Sequence, residues 1–252
     1  MQKFGAETAR GLRASFSSAF GGVAEIATVG GIAAIGAEVL ATDKALTRLG
    51  IQAGVTRSDI MAFNREVLDT SDDVGVSAKK LSAAATTFVS KTGDFETARK
   101  VLGLLGETAQ ASGAQVEDVG AAASSLRTNL GITEVDEMRS ALSGLLAQGK
   151  AGKVELREMA ALLPSIAPQF VEFGRDGAEG VAELGAAMQV VSRGFNTGSE
   201  AATGLANLMA KISANAAKLD KAGVNVFADG DQTTLRGFTE IIEDISKAEG
   251  LQ

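Results

Sequence analysis

The chain has 252 residues, enough for one large or two small domains, and 45% of them are hydrophobic, which excludes a largely disordered chain. It contains no cysteine and no histidine, which excludes disulfides, thiolate metal sites and the usual general base of enzymes near neutral pH. The formal net charge is −7, whereas proteins that grip nucleic acid need basic patches, so we expect no sequence-specific nucleic-acid binding.

Residues 1–43 form a predicted N-terminal helical, hydrophobic segment, separate from a second domain at residues 44–252. Residues 21–41 are long enough to span a bilayer as a helix, but many are Gly, Ala and Thr, whose transfer into lipid is barely favourable. Gly31 and Ala34 belong to small-xxx-small pairs, which permit close helix contacts. We favour a helix packed against identical copies around a symmetry axis, with a membrane-active helix as the alternative.

Glycines recur every 18 to 22 residues beyond the first domain and predict left-handed helix ends. Several are followed by residues suited to begin a helix, namely Ser77, Asp94, Thr133 and Ser199. Short helices joined by tight turns should run antiparallel to their neighbours. The glycines concerned are Gly54, Gly75, Gly93, Gly113, Gly131, Gly152, Gly174 and Gly194.

Apolar residues at helical spacing predict which helix faces form the core. The predicted core positions are Phe95, Ala98, Val101, Leu102, Leu105 and Ala109; Val135, Met138, Leu142, Leu145 and Leu146; and Val181, Leu184, Ala187, Met188 and Val191. Pro164 is expected to end one helix, because proline lacks the amide that continues the hydrogen-bond pattern.

Residues 223–235 break the helical pattern and predict a small β-hairpin. Val224, Val226 and Leu235 should point inward, with Phe227 partly covered and Gly230 in the turn. A helix at residues 238–248 follows. The predicted fold class is therefore mainly α, an irregular bundle of short antiparallel helices with one small hairpin near the C-terminus. A solenoid is the second interpretation, because the glycine spacing is regular but no motif repeats.

No residue pattern predicts catalysis, a cofactor or a metal site, and we expect the chain not to be an enzyme. Asp229 and Asp231 could bind calcium with Asp220 nearby, but the twelve-residue loop ending in Glu that such sites use is absent, so a plain turn is favoured.

The order of features from about residue 44 onward resembles the core region of phage tail tape measure proteins. The most specific stretch contains Leu205-Ala-Asn-Leu-Met209, Gly223-Val-Asn-Val-Phe227-Ala-Asp-Gly230 and Ile241-Ile-Glu-Asp-Ile245. Upstream, Ala45-Leu-Thr-Arg-Leu49, Gly75-Val-Ser77 and Gly113-Ala-Gln-Val-Glu-Asp-Val119 are similar to the family's short helices and glycine turns. The resemblance covers about four fifths of the chain. Because members of the family are far longer, we expect this chain to be part of a longer protein.

The resemblance implies a structural assembly protein of a phage or phage-like tail, made in the host cytoplasm and located at the tip and in the lumen of the tail. It would anchor at the tail tip, template assembly of the tail tube around itself and leave during DNA ejection. The implied partners are tail tip, hub and distal tail proteins, the tail tube protein and assembly chaperones. Self-association is expected in three copies, with six as the alternative, and a host membrane is a further contact during ejection. Two other functions stay open, a helical adaptor and a pore-forming protein that uses residues 21–41.

Overall fold

The computed structural model describes residues 49–50, 53–228 and 234–247. In these ranges it contains nine α-helices and two 3-10 helices, at Val171–Phe173 and Ser192–Gly194, and no β-strand. The prediction of a mainly α protein is confirmed. The α-helices are α1 (Arg57–Val74), α2 (Ala78–Thr92), α3 (Phe95–Ser112), α4 (Val116–Leu130), α5 (Val135–Ala151), α6 (Leu156–Phe170), α7 (Gly177–Val191), α8 (Gly198–Lys221) and α9 (Phe238–Lys247).

The helices form two layers, one of α1, α3, α5 and α7 and the other of α2, α4, α6 and α8. Each helix packs on the helix two positions further along the chain, and α9 packs on α7. The connections between the first eight helices have two to six residues, so consecutive helices run antiparallel and helices within one layer run parallel. We call this arrangement the two-layer stack. It is more regular than the predicted irregular bundle and closer to the solenoid interpretation.

The most extensive contact between layer neighbours joins α2 and α4, two helices rich in alanine and serine. Ala84, Ala122 and Ala123 are fully buried between small neighbours. A Cβ atom on Gly120 of α4 would lie 2.7 Å from the backbone oxygen of Ala84 and 3.0 Å from its Cα. Glycine is therefore required at position 120 for these two backbones to lie so close together.

Ion pairs connect successive helices of the α1 layer. The Arg99 Nε of α3 donates to a carboxylate oxygen of Glu66 on α1 at 2.8 Å, and this bond holds the pKa of Glu66 below its ordinary value. Arg139 of α5 pairs in the same way with Glu107 of α3, at 2.8 Å. The rings of Phe63 and Phe95 meet edge to face at 5.2 Å beside the first pair. The same type of contact thus recurs along the layer.

The predicted apolar faces are confirmed as the core. All six positions of α3 are buried, as are three positions of α5 and four of α7, while Val135, Leu146 and Val191 are only partly buried. The buried positions on α5 and α7 are Met138, Leu142, Leu145, Val181, Leu184, Ala187 and Met188.

Six of the eight predicted glycine turns have the left-handed conformation, at Gly54, Gly75, Gly93, Gly113, Gly131 and Gly174. The prediction is wrong for the other two, because contacts from distant residues order those loops. At Gly152, where φ is −112°, the side-chain carbonyl of Gln189 accepts hydrogen bonds from the next two backbone amides, Lys153 (2.8 Å) and Val154 (3.0 Å). Gly194 lies in a 3-10 helix, and there the Lys153 Nζ donates to the carbonyls of Ser192 and Phe195.

Two of the four predicted helix starts are confirmed. Asp94 begins α3 and accepts a hydrogen bond from the Thr97 amide at 2.8 Å, and Ser77 begins α2 without a side-chain bond. The predictions at Thr133 and Ser199 are wrong, since α5 begins after Glu134 and α8 begins after Thr197. Thr197 forms a reciprocal capping box with Glu200, which makes it the better start.

The prediction that Pro164 ends a helix is also wrong. Helix α6 continues through Pro164 and Pro168 to Phe170. Each proline removes one backbone hydrogen bond, but α6 packs on both α4 and α8 and buries Leu163 and Ile166. Burial of this apolar face offsets the missing bonds.

Candidate functional site

The segment that follows α8 closes the C-terminal end of the two-layer stack. Gly223 has a φ of 89°, which turns the chain sharply at the end of α8, and the Val224 amide donates back to the Leu219 carbonyl at 3.0 Å. The chain then passes through the predicted hairpin region and enters α9. These residues, with the loop after α6, form the candidate site.

The predicted β-hairpin is not seen as a pair of strands in the described residues. Phe227 and Leu235 form one isolated antiparallel bridge, flanked by hydrogen bonds from the Ala228 amide to the Thr234 carbonyl (2.9 Å) and from the Arg236 amide to the Val226 carbonyl (3.0 Å). On the side away from the turn, pairing stops because the chain is tied to α8 at one end and enters α9 at Phe238 at the other. Gly230 and the two aspartates beside it lie outside the described residues.

The apolar side chains of this segment face the interior of the stack, whereas Asn225 and Thr234 are exposed. Val224, Val226 and Leu235 are buried, and Phe227 is half-buried. They hold the segment against the helices, and only Phe227 keeps substantial surface with which it could contact another protein. An interaction role for these residues stays a prediction.

A cluster of three aromatic rings anchors α9, and the sequence analysis missed it. The ring centroids of Phe173 and Phe238 lie 5.6 Å apart in an edge-to-face arrangement, and Phe170 lies 6.4 Å from each of them. All three side chains are buried. The spacing of Phe170 and Phe173 by three residues, one helical turn, was the available signal.

Two arginines and three carboxylates join α7, α9 and the loops between them. Arg175 pairs with Glu183 (3.1 Å) and Glu240 (2.9 Å), and Arg236 pairs with Glu240 (3.2 Å) and Asp244 (2.7 Å). The hydrogen bond from Arg236 to Asp244 raises the pKa of this guanidinium. Glu183 also accepts a hydrogen bond from the Thr239 amide at 2.9 Å, near the start of α9. The network therefore fixes the position of α9.

A surface cleft of about 410 Å³ lies between these groups, lined by Phe173, Arg175, Asn225, Arg236 and Glu240 among others. Each of its arginines is already paired with two carboxylates. Among the described residues no group of three or more acidic side chains is placed to hold a metal ion. Because its arginines are already paired, the cleft is better suited to hold α9 in place than to activate a substrate.

The other predicted site residues, Gly31 and Ala34, lie outside the described residues, as do the whole stretch 21–41 and the domain boundary after residue 43. No helix in the described part of the chain is both long and apolar enough to cross a membrane. The membrane and oligomer interpretations of residues 21–41 stay predictions.

Comparisons with known proteins agree with the resemblance noted in the sequence. The model of a family described as phage-related minor tail protein matches residues 64–252. The "Probable tape measure protein" of Burkholderia phage BcepMu is 30% identical over 141 residues, which are 55% of this chain and 17% of that protein. The match therefore spans less than a fifth of that relative's length. No solved structure matches the chain. The resemblance to tape measure proteins is confirmed, and the chain belongs to the phage-related minor tail protein family.

Proposed function

We propose that this chain is a structural assembly component of a phage or phage-like tail. In this role it anchors at the tail tip, templates assembly of the tail tube inside the lumen and is released on DNA ejection. The observation that carries the anchoring role is the two-layer stack. The match of this chain to a family of phage tail proteins also favours this role over that of a helical adaptor unrelated to phages.

The stack suits an anchor better than a ruler because it folds the chain back on itself. As one continuous helix, Arg57–Lys247 would span about 290 Å at 1.5 Å per residue. Folded into pairs whose neighbours lie about 8–10 Å apart, four pairs extend only about 30–40 Å along the stack. The described residues thus contribute little length and a large, continuous surface for contact with tail tip and tube proteins.

We further propose that residues 21–41 bring copies of the chain together around a symmetry axis, three copies being favoured. Leucine at Gly31 and Ala34 should block particle assembly by steric overlap and increase binding to liposomes. Assembled particles that tolerate both leucines would contradict this contact.

The anchoring role is tested by duplicating one helix pair, α3 and α4, within the phage gene. We expect assembly to fail, because the duplication displaces the surfaces on either side of it. Tails that lengthen or shorten in proportion to the number of pairs would refute the role. A melting curve of the purified variant is the control, because it separates a displaced surface from a chain that fails to fold.

A further inference from the structure

Helix α1 carries two of the three most solvent-accessible large apolar side chains of the described residues, the third being Val190 of α7. Met61 is 60% exposed and Leu68 is 51% exposed. They lie on one face of α1 with the exposed charges of Arg57, Arg65 and Asp72. These five residues follow one another at spacings of four, four, three and four, which places them on one face of the helix. The opposite face of α1 packs on α3.

The charges on this face oppose the dipole of their own helix. Arg57 is the first residue of α1, whereas Asp72 and Asp73 lie in its last turn, where no basic residue is present. A helix favours negative charge at its beginning and positive charge at its end. Within the described residues, no ion pair involves Arg57, Asp72 or Asp73. The arrangement therefore costs stability in the single chain.

The two ends of this face are complementary to each other when a second α1 lies antiparallel, although the two copies of Arg65 then lie close together at its centre. A two-fold axis between Asn64 and Arg65 places Arg57 opposite Asp72 of the second copy and Met61 opposite Leu68 of the second copy. Each apolar side chain then covers its counterpart, and each charge at a helix end gains a partner of opposite sign. Antiparallel helices also align their dipoles favourably.

We propose that this face of α1 is a self-association surface on which a second copy of the chain docks its own α1 antiparallel. Eighteen residues make a helix about 27 Å long, so the contact is small and its dimer weak unless the local concentration is high. An isologous contact closes on itself and joins chains in pairs, so it is compatible with the six-copy alternative, as two sets of three related by two-fold axes, and not with three copies alone. The proposal stands on α1 alone and does not depend on the tail role or on residues 21–41.

Disulfide trapping tests the register, and the absence of native cysteine makes the assay clean. Met61→Cys chains mixed with Leu68→Cys chains should form a mixed disulfide dimer, and Arg65→Cys should crosslink with itself. Met61→Cys alone should not, because the two copies of residue 61 lie seven residues, about 10 Å, apart along the axis, beyond the reach of a disulfide. Val190→Cys mixed with Leu68→Cys is the control, since Val190 is similarly exposed, at 53%, on α7.

Charge exchange tests the pairing in the full-length chain by sedimentation at high concentration. Arg57→Asp and Asp72→Arg should each weaken the dimer about tenfold, and the double exchange should restore it, because the pairs re-form with their signs reversed. Equal trapping of 61 with 61 and 61 with 68 would overturn the antiparallel register. No trapping above the Val190 control, as for a face that serves a different protein, would overturn self-association itself.

Discussion

Replacing Gly120 with alanine tests whether the backbones of α2 and α4 are as close as the fold requires. Alanine favours a helix over glycine by about 1 kcal/mol, so without a clash the substitution should stabilise the chain. Here the new Cβ would lie 2.7 Å from a backbone oxygen and 3.0 Å from a Cα of Ala84. Backbone cannot rotate away as a side chain can, and overpacking of this kind costs about 1–3 kcal/mol. The gain and the cost together give an expected net loss of up to about 2 kcal/mol in the free energy of unfolding.

Gly103→Ala on α3 is the matched control, because no described atom lies within 4 Å of its added Cβ. Thermal unfolding should show Gly103→Ala raising Tm by about 2–4 °C, whereas Gly120→Ala should leave Tm unchanged or lower it by up to about 8 °C. Adding Ala84→Gly to Gly120→Ala should not restore Tm, because the clash involves backbone atoms that glycine keeps. If Gly120→Ala raises Tm as Gly103→Ala does, the close packing of α2 on α4 is wrong.

Three further substitutions or conditions probe other contacts. Val226→Asp places an unpaired charge in the buried segment before α9 and should cause unfolding or aggregation. Val190→Asp, at an exposed position, should express normally, and equal expression of the two variants would refute the packing of the segment. Gln189→Ala removes three hydrogen bonds to Lys153 and Val154 and should lower the free energy of unfolding by about 1–3 kcal/mol in denaturant titration. An unchanged midpoint would show that the loop containing Lys153 and Val154 is ordered without the Gln189 side chain. The hydrogen bond from Arg99 holds the pKa of Glu66 below its ordinary value, so the folded state binds a proton at Glu66 less readily than the unfolded state does. The ion pair therefore stabilises the fold above about pH 5, and Tm should fall between about pH 5 and pH 3. Glu66→Gln should reduce that fall.

The sequence was most informative where structure depends on neighbours along the chain. All six positions that periodicity predicted on α3 are buried, because burial on one side of a helix shows in the spacing of Phe95, Val101 and Leu105. Leu104, Gly106 and Thr108 are buried as well, outside that predicted face. Glycine turns were predicted where the left-handed conformation itself ends the helix. The start of α8 at Thr197 could also have been predicted, because Glu200 stands three residues later as the capping box requires.

The predictions failed where contacts with residues distant in the sequence determine the local structure. Gly152 needs no left-handed turn because Gln189, from α7, supplies hydrogen bonds to the residues after it. Pro164 does not end α6 because the packing of that helix on two neighbours offsets the lost bond. On the side away from its turn, the hairpin is shortened to one bridge in the described residues because α8 and α9 hold its two ends. Arg175 likewise meets Glu240, 65 residues further along the chain, so this pair could not be predicted from spacing. The pair of Arg236 with Glu240, four residues apart, could have been.

The two-layer stack also determines how the chain responds to a pulling force. Since each helix packs chiefly on helices one or two positions away, tension applied at one end loads the terminal pair first and leaves the rest intact. The chain should then unravel in steps, one pair at a time, and each step needs only the force that separates one pair from the next. A domain with strands paired across its whole length would instead resist until it broke all at once. An extended polypeptide is also far narrower than the folded stack, so stepwise unravelling would let these residues pass through a channel too narrow for them when folded.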